Sequence, residues 1–238
     1  MRFGRPRRHF RRTDSTNERA RELVEAGAPA GTVVTAAEQT AGRGRRGRSW
    51  TAPPGKALLY SAILRPLDNR HAMLPVAAPL AVAEAVEAVS PECCEVKWPN
   101  DVWIARRKVA GVLIEARPPA WAVIGVGINV SIADGELPPD LRWPATSIGH
   151  GVSVEDALTA LNDRLGEWVA APPDWVLAAY AERDALRGHE VSWTGGPRGR
   201  EAGRGTASGI DESGNLLVEL ESGRRLALGA GEVQLELG

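Results

Sequence analysis

Three polar clusters interrupt otherwise apolar stretches of the chain, and each carries groups able to hold an anion or a small polar ring. The first is Ser15-Thr16-Asn17. The second is Gln39, followed by Gly42-Arg43-Gly44-Arg45-Arg46-Gly47-Arg48 and Trp50. The third is Lys97-Trp98-Pro99-Asn100-Asp101, continued by Lys108-Val109-Ala110-Gly111 and by Gly125-Val126-Gly127-Ile128-Asn129. The Gly/Arg run is the densest, with four guanidinium groups and three glycines in seven residues. Its like charges repel and its backbone is loose, so it builds no core of its own and is best used wrapped round an anion.

The spelling Gly42-x-Gly44-x-x-Gly47, with Asp68 further on, matches the dinucleotide-binding fingerprint, but its context fails. That fingerprint needs a helix directly after the glycines, whose N-terminus holds pyrophosphate. Here Arg48-Ser49-Trp50-Thr51-Ala52-Pro53-Pro54-Gly55 follows, and its prolines and glycine forbid the helix. No Ser/His/Asp or Cys/His set for nucleophilic catalysis stands out. His9, His71, His150 and His189 are scattered without metal-ligand spacing, so no protein-held metal is expected. The only lysines are Lys56, Lys97 and Lys108 among many arginines. A lysine in such a chain marks a place where a compact ammonium matters, or it reflects composition alone.

The elements that must position these clusters can be read in order. Ser15 and Glu18 have capping-box spacing, and Ala20, Leu23, Val24 and Ala26 form a helical stripe ended by Gly27. Ser15 can cap this helix, face a ligand, or do both. Thr32–Ala36 reads as a strand leading into the Gly/Arg loop, and Ala57–Leu64 as a second. Residues 72–90 read as a long buried helix. Strands follow at Cys94–Trp98, Val102–Ile104 and Lys108–Glu115, the last two joined as a hairpin through Ala105-Arg106-Arg107. Trp121–Val130 is a long apolar strand, then two helices span about 153–170 and 174–187, with Ser153 and Asp174 as caps. Beyond Leu186 come short segments, Glu190–Thr194, Gly205–Ile210, Leu216–Glu221, Arg224–Leu228 and Glu232–Leu237. Gly-rich turns separate them, the clearest being Asp211-Glu212-Ser213-Gly214-Asn215, and they predict a small β-barrel leaning on the main domain.

At 238 residues, 43% hydrophobic and 25% charged, the composition is that of a globular chain with one good core. A net charge of −1 gives no global basic field for nucleic acid. The basic N-terminal arm, Arg2 to Arg12, reads as a solvated, frayed terminus. No apolar run reaches membrane-spanning length, and no apolar segment follows the N-terminal arginines as in a signal peptide. The neighbouring cysteines Cys93 and Cys94 have no other partner, which points to a reducing, cytoplasmic compartment.

Ser-Thr-Asn, Gly-Arg-Gly-Arg-Arg-Gly-Arg, Lys-Trp-Pro-Asn-Asp, Lys-Val-Ala-Gly-Val-Leu-Ile-Glu and Gly-Val-Gly-Ile-Asn-Val occur in this order, and together they resemble the biotin–protein ligase family. The resemblance runs from about residue 11 to the C-terminus. It implies an α+β fold: a mixed β-sheet catalytic domain flanked by helices, class II synthetase-like or lipoate ligase-like, over 1–186, and a small SH3-like β-barrel over 187–238. It implies ATP-dependent attachment of biotin to a lysine of a biotin carboxyl carrier protein, with biotinyl-5′-AMP as intermediate and Mg²⁺ accompanying ATP. Such chemistry needs cations between a carboxylate and a triphosphate more than it needs an enzyme nucleophile.

By resemblance, Lys108 bridges the biotin carboxyl and the α-phosphate, and Arg43, Arg45 and Arg48 line the adenylate and pyrophosphate, with Arg46 more outward. Biotin is expected to meet Ser15, Thr16, Asn17, Gln39, Gly42, Arg43, Gly44, Arg45, Trp50, Lys108, Gly111, Gly125 and Gly127. ATP is expected to meet Arg43, Arg45, Arg48, Lys97, Asn100, Lys108, Asn129 and Trp143. Trp143, in Arg142-Trp143-Pro144, stacks on adenine or merely packs, and Asp101 positions Mg²⁺ or merely holds its turn. About ten residues precede the first motif, too few for a helix-turn-helix, so the expectation is the ligase-only form: no DNA, no membrane, and a monomer or weak homodimer. Two other readings remain in play: a Gly/Arg nucleic-acid module, which the scarce Phe and Tyr disfavour, and a lipoate-type ligase.

Overall fold

The computed structural model describes residues 1–137, 143–194 and 202–230, and the backbone of 234–237. In chain order the elements are β1 (Arg7–Phe10), α1 (Thr16–Glu25), β2 (Val33–Ala36), β3 (Ala57–Leu64), α2 (Leu74–Glu87), β4 (Glu95–Lys97), β5 (Asp101–Ile104), β6 (Arg107–Arg117) and β7 (Trp121–Asn129). Then follow α3 (Val154–Trp168), α4 (Pro173–Arg183), β8 (Glu190–Thr194), β9 (Gly203–Ile210), β10 (Leu216–Glu219), β11 (Arg225–Leu228) and β12 (Gln234–Leu237). The first seven strands form one sheet in the order β1-β2-β3-β7-β6-β5-β4. Only β1 and β2 run parallel, which makes the sheet mixed. A second, antiparallel sheet has the order β11-β10-β9-β8-β12.

Strand alternation sorts the large sheet into two faces. Leu58, Tyr60, Ala62 and Leu64 of β3 and Ala122, Ile124, Val126 and Ile128 of β7 join the main core with α2 and α3. Helix α2 is buried on nearly every side, as its apolar sequence requires. On the opposite face, Ala20 and Val24 of α1 pack on Val34, Ile63 and Val123. That leaves Ser61, Gly125, Gly127 and Asn129 on the α1 side beyond the helix. The second sheet shares the main core through Val191, Trp193, Ala207, Leu216, Val218 and Leu228. The Trp98 indole N–H also donates to the Gly214 carbonyl at 2.9 Å, inside the expected 211–215 turn.

Several expectations need correction. The N-terminal arm is not frayed: Phe3 is buried, Gly4 N donates to Gly31 O at 3.1 Å, and Arg7–Phe10 pairs with β2. Its mostly exposed side chains hide an edge strand from any reading of hydrophobic periodicity. Ser15 stands at the N-cap of α1 but makes no side-chain cap, so the capping box with Glu18 does not form. Helix α4 is entered through Pro172 and Pro173, and Asp174 lies inside its first turn. Ser153 does cap α3, in a reciprocal box with Asp156. In the last expected strand, Glu232 and Val233 lie outside the described residues, as does Arg142.

The β5–β6 hairpin turns on two residues, with Ile104 opposite Arg107. Ala105 and Arg106 both take positive φ, 47° and 61°. This is the left-handed pair that Asn-Gly normally supplies, formed here by residues whose Cβ atoms are strained in it. Arg106→Gly is expected to raise stability by about 0.5–1 kcal/mol, seen as a melting temperature about 2 °C higher. A fall in melting temperature would show that Arg106 makes compensating contacts.

Candidate active site

Strands β3, β6 and β7 present one face to a cleft of about 530 Å³, a size suited to a small organic ligand. The register sets Leu59 beside Gly127 and Ser61 beside Gly125 across β3 and β7, and Gly111 beside Gly127 across β6 and β7. Three side chains are thus missing from the floor, and others fill part of the space. A Cβ on Gly125 would stand 2.1 Å from Asn17 Oδ1, and one on Gly127 would stand 2.3 Å from the Trp50 ring. The glycines therefore admit side chains from α1 and the loop.

At one end of the cleft the Ser-Thr-Asn turn is wired to its surroundings. Gln39 Oε1 accepts from Thr16 N at 2.7 Å and from Thr16 Oγ1 at 3.0 Å. Ser61 Oγ lies 2.8 Å from Thr16 Oγ1 and 2.6 Å from Asn17 Oδ1. Asn17 Nδ2 donates to Glu115 Oε2 at 2.8 Å. Ser15, Thr16 and Asn17 are all buried. The cleft-lining Ser15 hydroxyl, released from capping, and the Gln39 amide NH₂ are a hydroxyl and a donor available to a polar ring.

Lys108 reaches the cleft through a β-bulge. Val102 pairs with Ala110, but Trp103 pairs with Lys108, so Val109 is an extra residue on β6. Unbroken alternation would send Lys108 into the core with Ala110 and Val112. The bulge instead turns it to the face of Gly111, where a Cβ would lie 3.1 Å from Nζ. There Nζ pairs with Asp101 Oδ1 at 2.7 Å and stands 5.5 Å from the Trp50 ring centroid. The strand is also fixed by its neighbour: Lys108 N donates to Pro144 O at 2.7 Å, and Thr146 N donates to Lys108 O at 2.9 Å.

The Gly/Arg run folds back on itself, with Arg43 bridged to Ser49 and Gly44 N donating to Arg48 O at 2.7 Å. Its arginines differ in their partners. Arg43 faces two carboxylates, Glu18 Oε2 and Glu115 Oε1, each at 3.2 Å. Arg45 donates to neutral groups, Asn100 Oδ1 at 3.0 Å and the Ala230 carbonyl. Burial, and then the charge of Arg46, lowers its pKa from the ordinary value, yet a guanidinium stays cationic at neutral pH. Arg48 Nε donates to Arg45 O at 3.3 Å. Arg46 is exposed and lines no part of the cleft.

Most expected residues converge here: Ser15, Thr16, Asn17, Gln39, Arg43, Gly44, Arg45, Arg48, Trp50, Asn100, Lys108, Gly111, Gly125, Gly127, Asn129 and Trp143 all line the cleft. Gly42 and Lys97 do not. Gly42 is buried behind the loop, where a Cβ would meet Trp50 O at 2.3 Å. The buried Lys97 Nζ sits 4.8 Å from the Trp143 ring centroid, which tilts against Trp103. Asn129 Nδ2 donates to Thr146 O at 2.9 Å and ties the Trp143 segment to β7. Sequence reasoning missed Ser61 and Glu115. Ser61 is the only polar group that Ala57–Leu64 turns to the cleft face, and Glu115 follows Gly111 and Leu113 at strand period.

Among the described residues no group of three His, Cys, Asp or Glu side chains can hold a metal ion. Asp101 Oδ1 is already engaged by Lys108 and by Asn100 Nδ2, so these residues do not fit a protein-held metal. A part-apolar cleft with an ammonium and guanidinium groups along its wall has the chemistry to take a carboxylic acid beside a polyphosphate, as an acid-activating ligase requires.

Comparison with known proteins agrees. Residues 9–129 match the biotin/lipoate A/B protein ligase family, and residues 188–235 match the biotin protein ligase C-terminal domain. The chain is 36% identical to the biotin–[acetyl-CoA-carboxylase] ligase of Mycobacterium tuberculosis, over 93% of this chain and 85% of that protein. It is 35% identical to the ligase of the same name from Paracoccus denitrificans, over 90% and 95%. Its fold superposes on the Aquifex aeolicus biotin protein ligase in complex with biotin and ATP with a TM-score of 0.84, at 29% identity, covering 98% of this chain and 99% of that one. The chain belongs to the biotin/lipoate A/B protein ligase family.

Trp50 rests on Gly127 and anchors the far end of the Gly/Arg loop. Gly127→Ala is expected to push the ring off the floor and loosen the loop backbone. Tryptic cleavage between Arg43 and Arg48 should become about fivefold faster, the change that about 1 kcal/mol of lost packing makes in an open population. An unchanged cleavage rate would mean that other contacts hold the loop.

Proposed function

We propose that this chain is a biotin–protein ligase that uses ATP to attach biotin to a lysine of a carrier protein through biotinyl-5′-AMP. A biotin carboxylate oxygen attacks the α-phosphorus of ATP, and the bond to the departing pyrophosphate breaks. The ε-amine of the carrier lysine then attacks the acyl carbon, AMP leaves, and the amine loses a proton. The observation that carries this reading is the bulge that turns Lys108 onto the glycine floor, beside Trp50 and Asp101.

In this reading the Ser15 hydroxyl, Thr16 and the Gln39 amide meet the ureido ring, while Asn17 braces them from Gly125. Trp50 and Leu59 wall the apolar ring and chain. Lys108 leaves Asp101 to stand between carboxylate and α-phosphate. Arg45 and Arg48, which donate to neutral oxygens, face the phosphates. Trp143 stacks on adenine, its ring braced by the Lys97 cation, and Asn100 and Asn129 complete that wall. Mg²⁺ arrives on the nucleotide and has no protein cage among the described residues. The carrier is the biotin-accepting subunit of an acyl-CoA carboxylase. We divide the chain into a catalytic unit, 1–186, and a small β-unit, 187–238. The free thiols of Cys93 and Cys94 support a cytoplasmic setting, and no described helix is long and apolar enough to cross a membrane.

The test is biotin-dependent ATP–pyrophosphate exchange, repeated with lipoate. Exchange with biotin alone is expected; exchange with lipoate alone would overturn the choice of acid. Lys108→Ala should cut exchange about 100-fold or more in a chain that still folds, since it removes a cation aimed at the developing charge. Undiminished adenylate formation by that variant would remove Lys108 from the chemistry.

A further inference from the structure

Resting on the ligase reading, we propose that Glu115 is a positioning residue that fastens the root of the Gly/Arg loop to the ring-recognition turn, with the Arg43 side chain as its tether. Glu115 lies on the cleft face of β6, three-quarters buried, and divides its two oxygens between two elements. Oε2 accepts from Asn17 Nδ2 at 2.8 Å, and Oε1 faces Arg43 Nη2 at 3.2 Å. Arg43 Nη1 donates to Glu18 Oε2 at 3.2 Å, so the guanidinium is clamped between α1 and β6. Asn17 in turn accepts from Ser61 at 2.6 Å and packs on Gly125. One connected string of hydrogen bonds therefore runs from the cleft floor to the loop root.

Charge separates Arg43 from its neighbours. Two carboxylates pair directly with its cation, one of them, Glu18, shared with Arg21, whereas Arg45 and Arg48 donate to neutral oxygens and have no carboxylate in direct contact. A phosphate reaching Arg43 would have to compete with both carboxylates for the guanidinium. Arg43 thus holds the loop in place, and Arg45 and Arg48 supply positive charge to the anion. Substrate binding follows the same string: a ligand that orders Asn17 also orders Glu115, and through it the loop.

Exchange kinetics of the full chain test this, comparing wild type, Glu115→Gln, Arg43→Ala and the double variant, with melting temperatures for each. A glutamine at 115 keeps an acceptor for Asn17 but turns an NH₂ toward the guanidinium. Glu115→Gln and Arg43→Ala should each raise KM for biotin about tenfold or more while kcat stays within about threefold. The double variant should be no worse than the worse single one, because both remove the same tether. Glu115→Asp should recover part of the loss. Additive effects, or a kcat collapse in Arg43→Ala with KM unchanged, would overturn the inference and place Arg43 on the phosphates. If Glu115→Gln melts early, the KM and kcat of Arg43→Ala, whose side chain is 44% exposed, decide alone. A wild-type chain without biotin-dependent exchange overturns the ligase reading itself, an outcome distinct from wild-type exchange with additive variants.

Discussion

Everything in the site depends on three side chains that are not there. Gly111, Gly125 and Gly127 fall on the same face of two paired strands, two of them directly opposite each other. The gap lets the Asn17 amide and the Trp50 ring come down onto backbone, at distances no Cβ would permit. Those two residues belong to the first turn of α1 and to the end of the Gly/Arg loop, the two segments a ligand must bring together. A smooth apolar sheet face would have buried the same area by packing a helix. Removing its side chains converts a packing surface into a cleft, and the core loses nothing because the alternate residues still face α2.

The cleft then faces an electrostatic problem. Cations gathered for an anion repel one another when the anion is absent, and a buried ammonium is costly without a partner. The structure solves this differently for each charge. Lys108 rests on Asp101, a single carboxylate on the facing strand that holds the ammonium on the cleft floor. Arg43 is paired with two carboxylates, Glu18 and Glu115, the first shared with Arg21. Arg45 is held by an amide oxygen and a backbone carbonyl, which orient it without cancelling its charge. Donors fixed by neutral partners need little reorganisation when a phosphate arrives, which is the condition for electrostatic stabilisation to be effective.

The order and type of most elements, and the convergence of the three polar clusters, were legible in the sequence because they rest on local patterns: alternation in Ala57–Leu64, the apolar run of α2, and the Gly/Arg spelling. The misreadings share a physical cause. Arg7–Phe10 has no hydrophobic alternation because an edge strand can leave its side chains in water. Ser15 has capping spacing, but spacing does not say where a hydroxyl points, and its side chain makes no cap bond. The bulge at Val109 is invisible from sequence, since a run of apolar residues does not say which one is extra. Glu18 and Glu115 lie far apart along the chain, and only the fold reveals that they meet at one arginine.

Among the described residues, the second sheet meets the site through backbone carbonyls. The turn that carries Lys97, Asn100 and Asp101 is held on one side by Trp98 bonding to the Gly214 carbonyl. On the other side, Arg45 spans from Asn100 to the Ala230 carbonyl. Carbonyls suit this role. They fix a donor in direction, add no negative charge that would repel a triphosphate, and vary little when side chains change. Because the second sheet shares the main hydrophobic core, its carbonyls sit on a rigid support. The small sheet thus acts as a buttress for the cationic wall. Loosening it would blur the position of Arg45 and Asn100 even though none of its own side chains lines the cleft among the described residues.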